Sequence, residues 1–146
     1  MDAQDKRRFR IQLVDDYLGL IGLSETIKKF YEGRVILITG GAGAIGSNLT
    51  IALSALVGES GKIVILDNLS AVKDREPWNV PELNNVLFVQ GDVREETDLK
   101  RAFKENPTIV FHLAAFFANQ RSVDYPETSA ITDILGLIRL LEISSV

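Results

Sequence analysis

Residues 39–46 read Thr-Gly-Gly-Ala-Gly-Ala-Ile-Gly, and this stretch decides how the 146-residue chain folds. It follows a short apolar, β-branched run, Arg34–Thr39, and it precedes a stretch with apolar residues at helical spacing. The order predicts a strand, a glycine-rich turn and a helix. Gly40, Gly43 and Gly46 matter there because a Cβ atom would obstruct a tight turn, the approach of a ligand to the backbone, or the packing of the helix on the strand.

The turn contains two overlapping phosphate-binding patterns. Gly41 opens the pattern G-x-G-x-x-G, and Gly40 opens the pattern G-x-x-G-x-x-G. A helix that begins near Ala44 directs its free N–H groups and the positive end of its dipole toward the turn, where they favour phosphate groups. Between a predicted strand and a predicted helix, this combination is typical of a dinucleotide site.

The rest of the chain repeats the alternation of strand and helix. Further strands are predicted at Lys62–Asp67, Val86–Gln90 and Thr108–Leu113, and helices at Asp98–Lys104 and at about Ala130–Ile143. Strands that are apolar throughout and alternate with helices predict a parallel sheet covered on both faces. Right-handed crossovers then give the half-order 3-2-1-4, which is an α/β, doubly wound sheet of the Rossmann type.

Residues 1–33 predict a helical extension ahead of the main domain, which we assign to 34–146. Apolar residues from Leu13 to Ile21 recur at helical spacing, and Ser24 is suited to cap a second short helix, Glu25–Glu32. Two interpretations stay open. The extension is either an arm that packs on the domain or a docking arm for another subunit.

Asp67 ends the second predicted strand, about 20 residues after Gly46, where dinucleotide-binding domains carry an acidic residue. A carboxylate there accepts hydrogen bonds from the adenosine ribose hydroxyls, and its charge repels a 2′-phosphate. The position therefore favours NAD over NADP. The alternative is an aspartate that is only solvated in a turn.

Composition excludes several other classes of function. A formal net charge of −4 gives no electrostatic reason to expect nucleic acid or an anionic membrane as a partner. The chain has no cysteine and a single histidine, His112, so disulfides are excluded and no metal site is predicted. We expect a cytoplasmic protein.

Four segments carry a resemblance to a known family: residues 39–46, 66–70 (Leu-Asp-Asn-Leu-Ser), 91–94 (Gly-Asp-Val-Arg) and 111–115 (Phe-His-Leu-Ala-Ala). In this order they resemble the extended short-chain dehydrogenase/reductase family, and within it the NAD-dependent nucleotide-sugar epimerases and dehydratases. The resemblance runs from about residue 34 to the end, which implies the N-terminal half of such a protein.

The resemblance implies NAD as the cofactor and a role for each matched residue. The residues are Gly40, Gly43, Ala44, Ile45 and Gly46 at the pyrophosphate, Asp67 and Asn68 at the adenosine ribose, Asp92 and Val93 beside adenine, and Leu113, Ala114 and Ala115 on the path to the nicotinamide. Simpler roles stay open for some positions. Asp92 is also placed to cap the next helix, Arg94 reads as a solvated residue, and Arg121 is either a ligand for a substrate phosphate or a solvated loop residue. His112 reads as a core histidine.

The family transfers hydride with a tyrosine that stands four residues before a lysine. None of the three tyrosines, Tyr17, Tyr31 and Tyr125, has a lysine four residues on. We therefore predict no catalytic residue in this chain and expect the motif beyond Val146.

The resemblance implies that the whole protein is a nucleotide-sugar epimerase or dehydratase in which bound NAD oxidises the sugar and then returns the hydride. Asp133 and Leu137 depart from it, since the family usually has asparagine and threonine there. The alternative is a non-catalytic NAD-binding sensor or scaffold on the same fold. The resemblance also implies a homodimer. The apolar last helix and the open edge of the fourth strand are the surfaces that we expect to contact another chain.

Overall fold

The computed structural model describes residues 3–71, 79–116 and 119–145. Its sheet has four parallel strands, β1 (Val35–Thr39), β2 (Lys62–Asp67), β3 (Val86–Gln90) and β4 (Ile109–His112). Their order is β3-β2-β1-β4, so the predicted 3-2-1-4 arrangement is confirmed. The bounds of β2 and β3 are those predicted, whereas β1 and β4 are shorter by one or two residues. The strand that would continue the sheet beside β4 is not among the described residues.

Helices cover both faces of the sheet. The helices are α1 (Ala3–Ile21), α2 (Glu25–Tyr31), α3 (Ala44–Val57), α4 (Glu96–Phe103), α5 (Asn119–Asp124), α6 (Pro126–Ala130) and α7 (Gly136–Ser144), with a π-helical turn, Ile131–Leu135, between the last two. In β1 the side chains alternate between the two faces. Ile36 and Ile38 pack with Leu53 and Val57 of α3, while Leu37 belongs to the cluster of the opposite face.

That second cluster joins the sheet to α4 and α7. It contains Leu99 of α4 and Leu140 of α7, both buried, together with Val64 and Leu66 of β2. Burial on both faces explains why the strands are apolar at every position rather than at alternate ones.

The N-terminal extension forms two helices that contact α3. Ser24 caps α2 as predicted, since its Oγ accepts the backbone N–H of Ile27 at 3.4 Å. Gly33 ends the extension with a positive φ of 69°, and its N–H donates to the carbonyl of Val57 at the end of α3. A docking role for another subunit stays a prediction.

The structure refines one sequence-based prediction of local structure and corrects another. Residues 130–143 are helical as predicted, but they comprise the end of α6, a π-helical turn and most of α7. Arg121 was predicted in a loop after β4, but it lies in the short helix α5. The polar, proline-containing sequence at 68–85 predicts a long loop between β2 and β3, and residues 72–78 of it lie outside the described residues.

The apolar surface of the last helical segments is only partly covered. Leu140 is buried, whereas a set of large side chains stays exposed: Ile134, Leu135, Leu137, Ile138 and Leu141. They extend from the π-helical turn into α7, on the side away from the sheet. This chain therefore leaves an apolar helix face without cover among its own described residues.

Candidate dinucleotide site

The glycine-rich turn is held by its own backbone and by its two neighbouring strands. Gly40 has a φ of +71°, and its N–H donates to the carbonyl of Leu66 at the end of β2 at 2.9 Å. A Cβ on Gly40 would come within 2.7 Å of the backbone nitrogen of Ala114. Only glycine satisfies both conditions, because L side chains rarely adopt that conformation and none would fit.

Gly46 lets α3 begin directly against this turn. A Cβ on Gly46 would strike the carbonyl oxygen of Gly40. Gly43 is different, since a Cβ there would meet only the Gly40 oxygen, at 3.2 Å. Gly43 lines the cleft beside the turn, whereas Gly46 is buried.

Asp67 is tied to the turn through both carboxylate oxygens. Its Oδ2 accepts the backbone N–H of Ala42 at 2.9 Å, and its Oδ1 accepts the backbone N–H of Leu69 at 2.7 Å. A carboxylate has about four lone-pair sites, so each oxygen keeps capacity for a further donor. The side chain is therefore oriented before any ligand arrives and can still accept ribose hydroxyls.

Asp92 forms a polar cluster with Asn68 and Arg94 in the same cleft. Asn68 donates its Nδ2 to Asp92 Oδ2 at 2.7 Å, and Arg94 donates from its backbone N, Nε and Nη2 at 2.8–2.9 Å. Burial raises the pKa of Asp92, but these hydrogen bonds outweigh it and bring the pKa down to about 2. Arg94 is therefore a cleft residue bound to Asp92 and not the solvated residue that was predicted. Asp92 does not cap α4, whose N-cap is Glu95.

The segment that follows β4 forms another wall of the cleft, next to the glycine-rich turn. Thr39 Oγ1 accepts the backbone N–H of Ala114 at 3.3 Å and lies 2.7 Å from Nδ1 of His112. Burial lowers the pKa of His112, and the carboxylate of Asp133 opposes this with a smaller effect. His112 thus joins β4 to β1 in a half-buried position, in line with the core role predicted for it.

Asp133 holds the far end of this segment. Its Oδ1 accepts the backbone N–H of Phe116 at 2.7 Å, and its Oδ2 accepts the hydroxyl of Ser129 at 3.0 Å. Asp133 lies in the π-helical turn, a geometry often found where a helix serves a functional site.

These walls enclose one cleft of about 260 Å³ at the carboxyl ends of the strands. It brings together most of the predicted cofactor residues: Gly40, Gly43, Asp67, Asn68, Asp92, Val93, Leu113, Ala114 and Ala115. Ala44, Ile45 and Gly46 do not line it. Ala44 and Ile45 are exposed at the start of α3, while Gly46 supports the turn from within.

Eight lining residues were not among the predicted cofactor residues: Leu66, Ser70, Ala71, Gly91, Arg94, Phe116, Thr128 and Thr132. Thr128 and Thr132 stand four residues apart across the junction of α6 and the π-helical turn, so they share one face of the helical segment. That spacing was visible in the sequence, but the apolar residues around it indicated only a buried helix.

The arrangement fits a dinucleotide. No side chain caps the start of α3, where helix amides suit phosphate. Asp67 offers acceptors for a ribose, and the Asp92 cluster and Val93 lie next along the cleft. The described residues hold no group of three acidic or histidine side chains suited to a metal ion. Within the same residues, no helix has the length and apolar character needed to cross a membrane.

Residues 37–145 match the family described as GDP-mannose 4,6 dehydratase. The chain belongs to the extended short-chain dehydrogenase/reductase family of nucleotide-sugar epimerases and dehydratases. CDP-paratose 2-epimerase of Salmonella typhi is 36% identical over 110 residues, which cover 73% of this chain and 31% of that protein.

Solved structures of the family agree with this fold. An epimerase from Methanothermobacter thermautotrophicus is 47% identical with a TM-score of 0.72, covering 80% of this chain and 33% of that one. The UDP-glucose 4-epimerase of Thermus thermophilus, solved in complex with NAD, is 37% identical with a TM-score of 0.60 and covers 74% of this chain and 32% of that one. The chain spans about a third of the length of the relatives that it matches.

The Asp92 cluster yields a prediction about acid stability. Arg94→Gln removes the charged donor, so we expect the pKa of Asp92 to rise from about 2 toward its ordinary value. Because the native pKa lies below the unfolded one, Asp92 stabilises the wild-type fold above about pH 4, and this contribution is lost as the pH falls toward 2. The variant should lose less stability across that window.

An NMR titration of the side-chain carboxyl carbons measures the pKa, and acid denaturation measures the stability. Arg101→Gln is the matched control, because Arg101 pairs with Asp98 and not with Asp92. An unchanged Asp92 titration in Arg94→Gln would contradict the assignment.

Proposed function

We propose that this chain is the NAD-binding part of a nucleotide-sugar epimerase or dehydratase. The proposal rests on one observation. The glycine-rich turn and Asp67 line the same cleft, and the Ala42 N–H donates to the Asp67 carboxylate. A turn that binds phosphate and a carboxylate that binds ribose are two characteristic elements of a dinucleotide site.

The relatives support the reaction class. The matched proteins include a CDP-paratose 2-epimerase, UDP-glucose 4-epimerases and a CDP-glucose 4,6-dehydratase. All carry a nucleoside diphosphate sugar in their names, and a UDP-glucose 4-epimerase relative was solved with NAD. We also propose that the substrate is a nucleotide sugar and that a part of the protein outside these residues binds it. No relative favours the sensor or scaffold alternative, and a cytoplasmic location stays a prediction.

Bound NAD would supply a hydride acceptor that is later a hydride donor. The residues of this chain would bind and orient it. The first turn of α3 would offer its amides to the pyrophosphate, Asp67 would accept hydrogen bonds from the ribose, and Asp92 and Val93 would hold the adenine end. Ala114 and Ala115 leave space beyond the end of β4 for the nicotinamide half.

Asp67 should determine the choice between NAD and NADP. Asp67→Asn keeps the shape but removes the charge, and it replaces one of the two oxygens that accept the N–H groups of Ala42 and Leu69 by a donor. We therefore expect binding of NAD to weaken about tenfold and the preference for NAD over NADP to narrow. Isothermal titration calorimetry with both cofactors measures this. Glu59→Gln is the control, since this exposed carboxylate lies at the opposite end of the strands. Equal affinity of the wild-type protein for NAD and NADP would refute the role of Asp67.

Gly43 should be required for the cofactor but not for the fold. Gly43→Val would fill the approach to the pyrophosphate, while its Cβ would meet only one backbone oxygen, so we expect NAD binding to be lost in a protein with near-native circular dichroism. Gly19→Val serves as control, because a Cβ at Gly19 meets nothing within 4 Å. A folded Gly43→Val protein that binds NAD normally would contradict the proposed turn.

We further propose a homodimer that covers the exposed apolar face of α7. Ile138→Glu combined with Leu141→Glu would place charges on that face, so we expect the wild-type protein to self-associate at tens of micromolar and the double variant to dissociate. Sedimentation velocity measures the species. Leu20→Glu, on the exposed side of α1, is the control. A single monomeric species for the wild-type protein would overturn this proposal.

A further inference from the structure

Arg10 joins the N-terminal extension to two parts of the domain at once. It lies on α1, ahead of the matched residues 37–145. Its Nη2 donates to Ser47 Oγ at 2.7 Å and to Asn48 Oδ1 at 3.2 Å, both in the first turns of α3. Its Nη1 donates to Asn79 Oδ1 at 3.1 Å, where the described chain resumes between β2 and β3. One guanidinium therefore bridges the helix behind the glycine-rich turn and the segment that leads into β3.

The Asn79 contact leads toward the proposed ribose site in two short steps. Val80, the next residue, packs against Ala42 of the glycine-rich turn and Leu69 after β2. The backbone N–H groups of those two residues are the donors that hold the Asp67 carboxylate. Arg10 thus supports the segment that packs on both donors of Asp67.

An ion pair adds to the same connection. Arg7, one helical turn before Arg10, pairs with Glu82, three residues beyond Asn79. Arg7 and Arg10 are three residues apart and therefore lie on one face of α1, and both contact residues 79–82. The connection between α1 and this segment thus does not depend on a single side chain.

The charge of Arg10 also suits a site for phosphate. Its three acceptors are uncharged, and within the described residues it makes no ion pair. A cation near the start of a helix is repelled by the positive end of the helix dipole. Burial adds to this cost and lowers the pKa of Arg10. An anion bound at the start of α3 would offset both effects.

We propose that Arg10 is a positioning residue for the cofactor, through which the N-terminal extension becomes part of the dinucleotide site. It keeps residues 79–80 against Ala42 and Leu69 and so keeps the Asp67 carboxylate oriented toward the ribose. The inference rests on the proposed function, because it concerns the affinity of that site for NAD.

The test compares three variants of the purified protein. Arg10→Gln removes the charge and the forked donor, and Arg10→Lys keeps the charge but not the fork. Arg8→Gln makes the same change of charge at an exposed neighbour on the same helix. Calorimetry measures the Kd for NAD, and NMR-detected hydrogen exchange of the cofactor-free protein measures protection of the Ala42 and Leu69 amides.

We expect Arg10→Gln to raise the Kd for NAD about three- to tenfold, Arg10→Lys to recover part of it, and Arg8→Gln to leave it unchanged. In the cofactor-free protein, the two amides should exchange faster in Arg10→Gln alone. If Arg10→Gln lowers the melting temperature but changes neither the Kd for NAD nor the exchange of the two amides, Arg10 only stabilises the fold. That result would overturn the proposal.

The two readouts also separate this inference from the proposed function. A wild-type protein that binds no NAD would overturn the proposed function and, with it, the role of Arg10 toward the cofactor. If the wild-type protein binds NAD and the Arg10 variants bind it equally well, only the role of Arg10 falls. Unchanged protection of both amides in Arg10→Gln would overturn the positioning step by itself.

Discussion

The contact between the start of α3 and the carbonyl oxygen of Gly40 is the constraint on which the rest of the structure depends. A Cβ at Gly46 would strike that oxygen, and a Cβ at Gly40 would strike the backbone of Ala114. Because neither residue has one, β1, α3 and the segment after β4 meet at a single turn. The helix amides, the end of β2 and the end of β4 then face one cleft, which is where doubly wound sheets bind their ligands.

The polar groups of the cleft are oriented by the protein itself. Both oxygens of Asp67 accept backbone N–H groups, and Asp92 is held by Asn68 and Arg94. A ligand that meets acceptors already in position does not have to order them on binding, and that lowers the free-energy cost of association. The low pKa of Asp92 is a consequence of the same arrangement, since its donors favour the charged carboxylate.

Two further regions of the chain bear on function. At its start, α1 and α2 lie ahead of the matched residues 37–145 and contact α3, and Arg10 connects α1 to the segment beside the proposed ribose site. Near its end, both oxygens of Asp133 accept hydrogen bonds, from the backbone N–H of Phe116 and the hydroxyl of Ser129. A single carboxylate therefore holds both the loop after β4 and the helical segment.

The sequence by itself determined the sheet, its strand order and most residues of the cleft, because these depend on local patterns: continuous apolar strands, glycine spacing and an aspartate at the end of β2. It did not reveal the π-helical turn, the short helix that contains Arg121, or the roles of Arg94, Thr128 and Thr132. Those depend on which distant groups meet. Arg94 binds Asp92, two residues before it, but this pair becomes part of the cleft only when the fold brings Asn68 to the same carboxylate. Arg10 reads as one of several basic residues until α1 lies against α3. Local patterns record the propensity and burial of a segment, whereas hydrogen-bond partners far apart in the chain are decided only when the tertiary structure sets their distances and excludes water from between them.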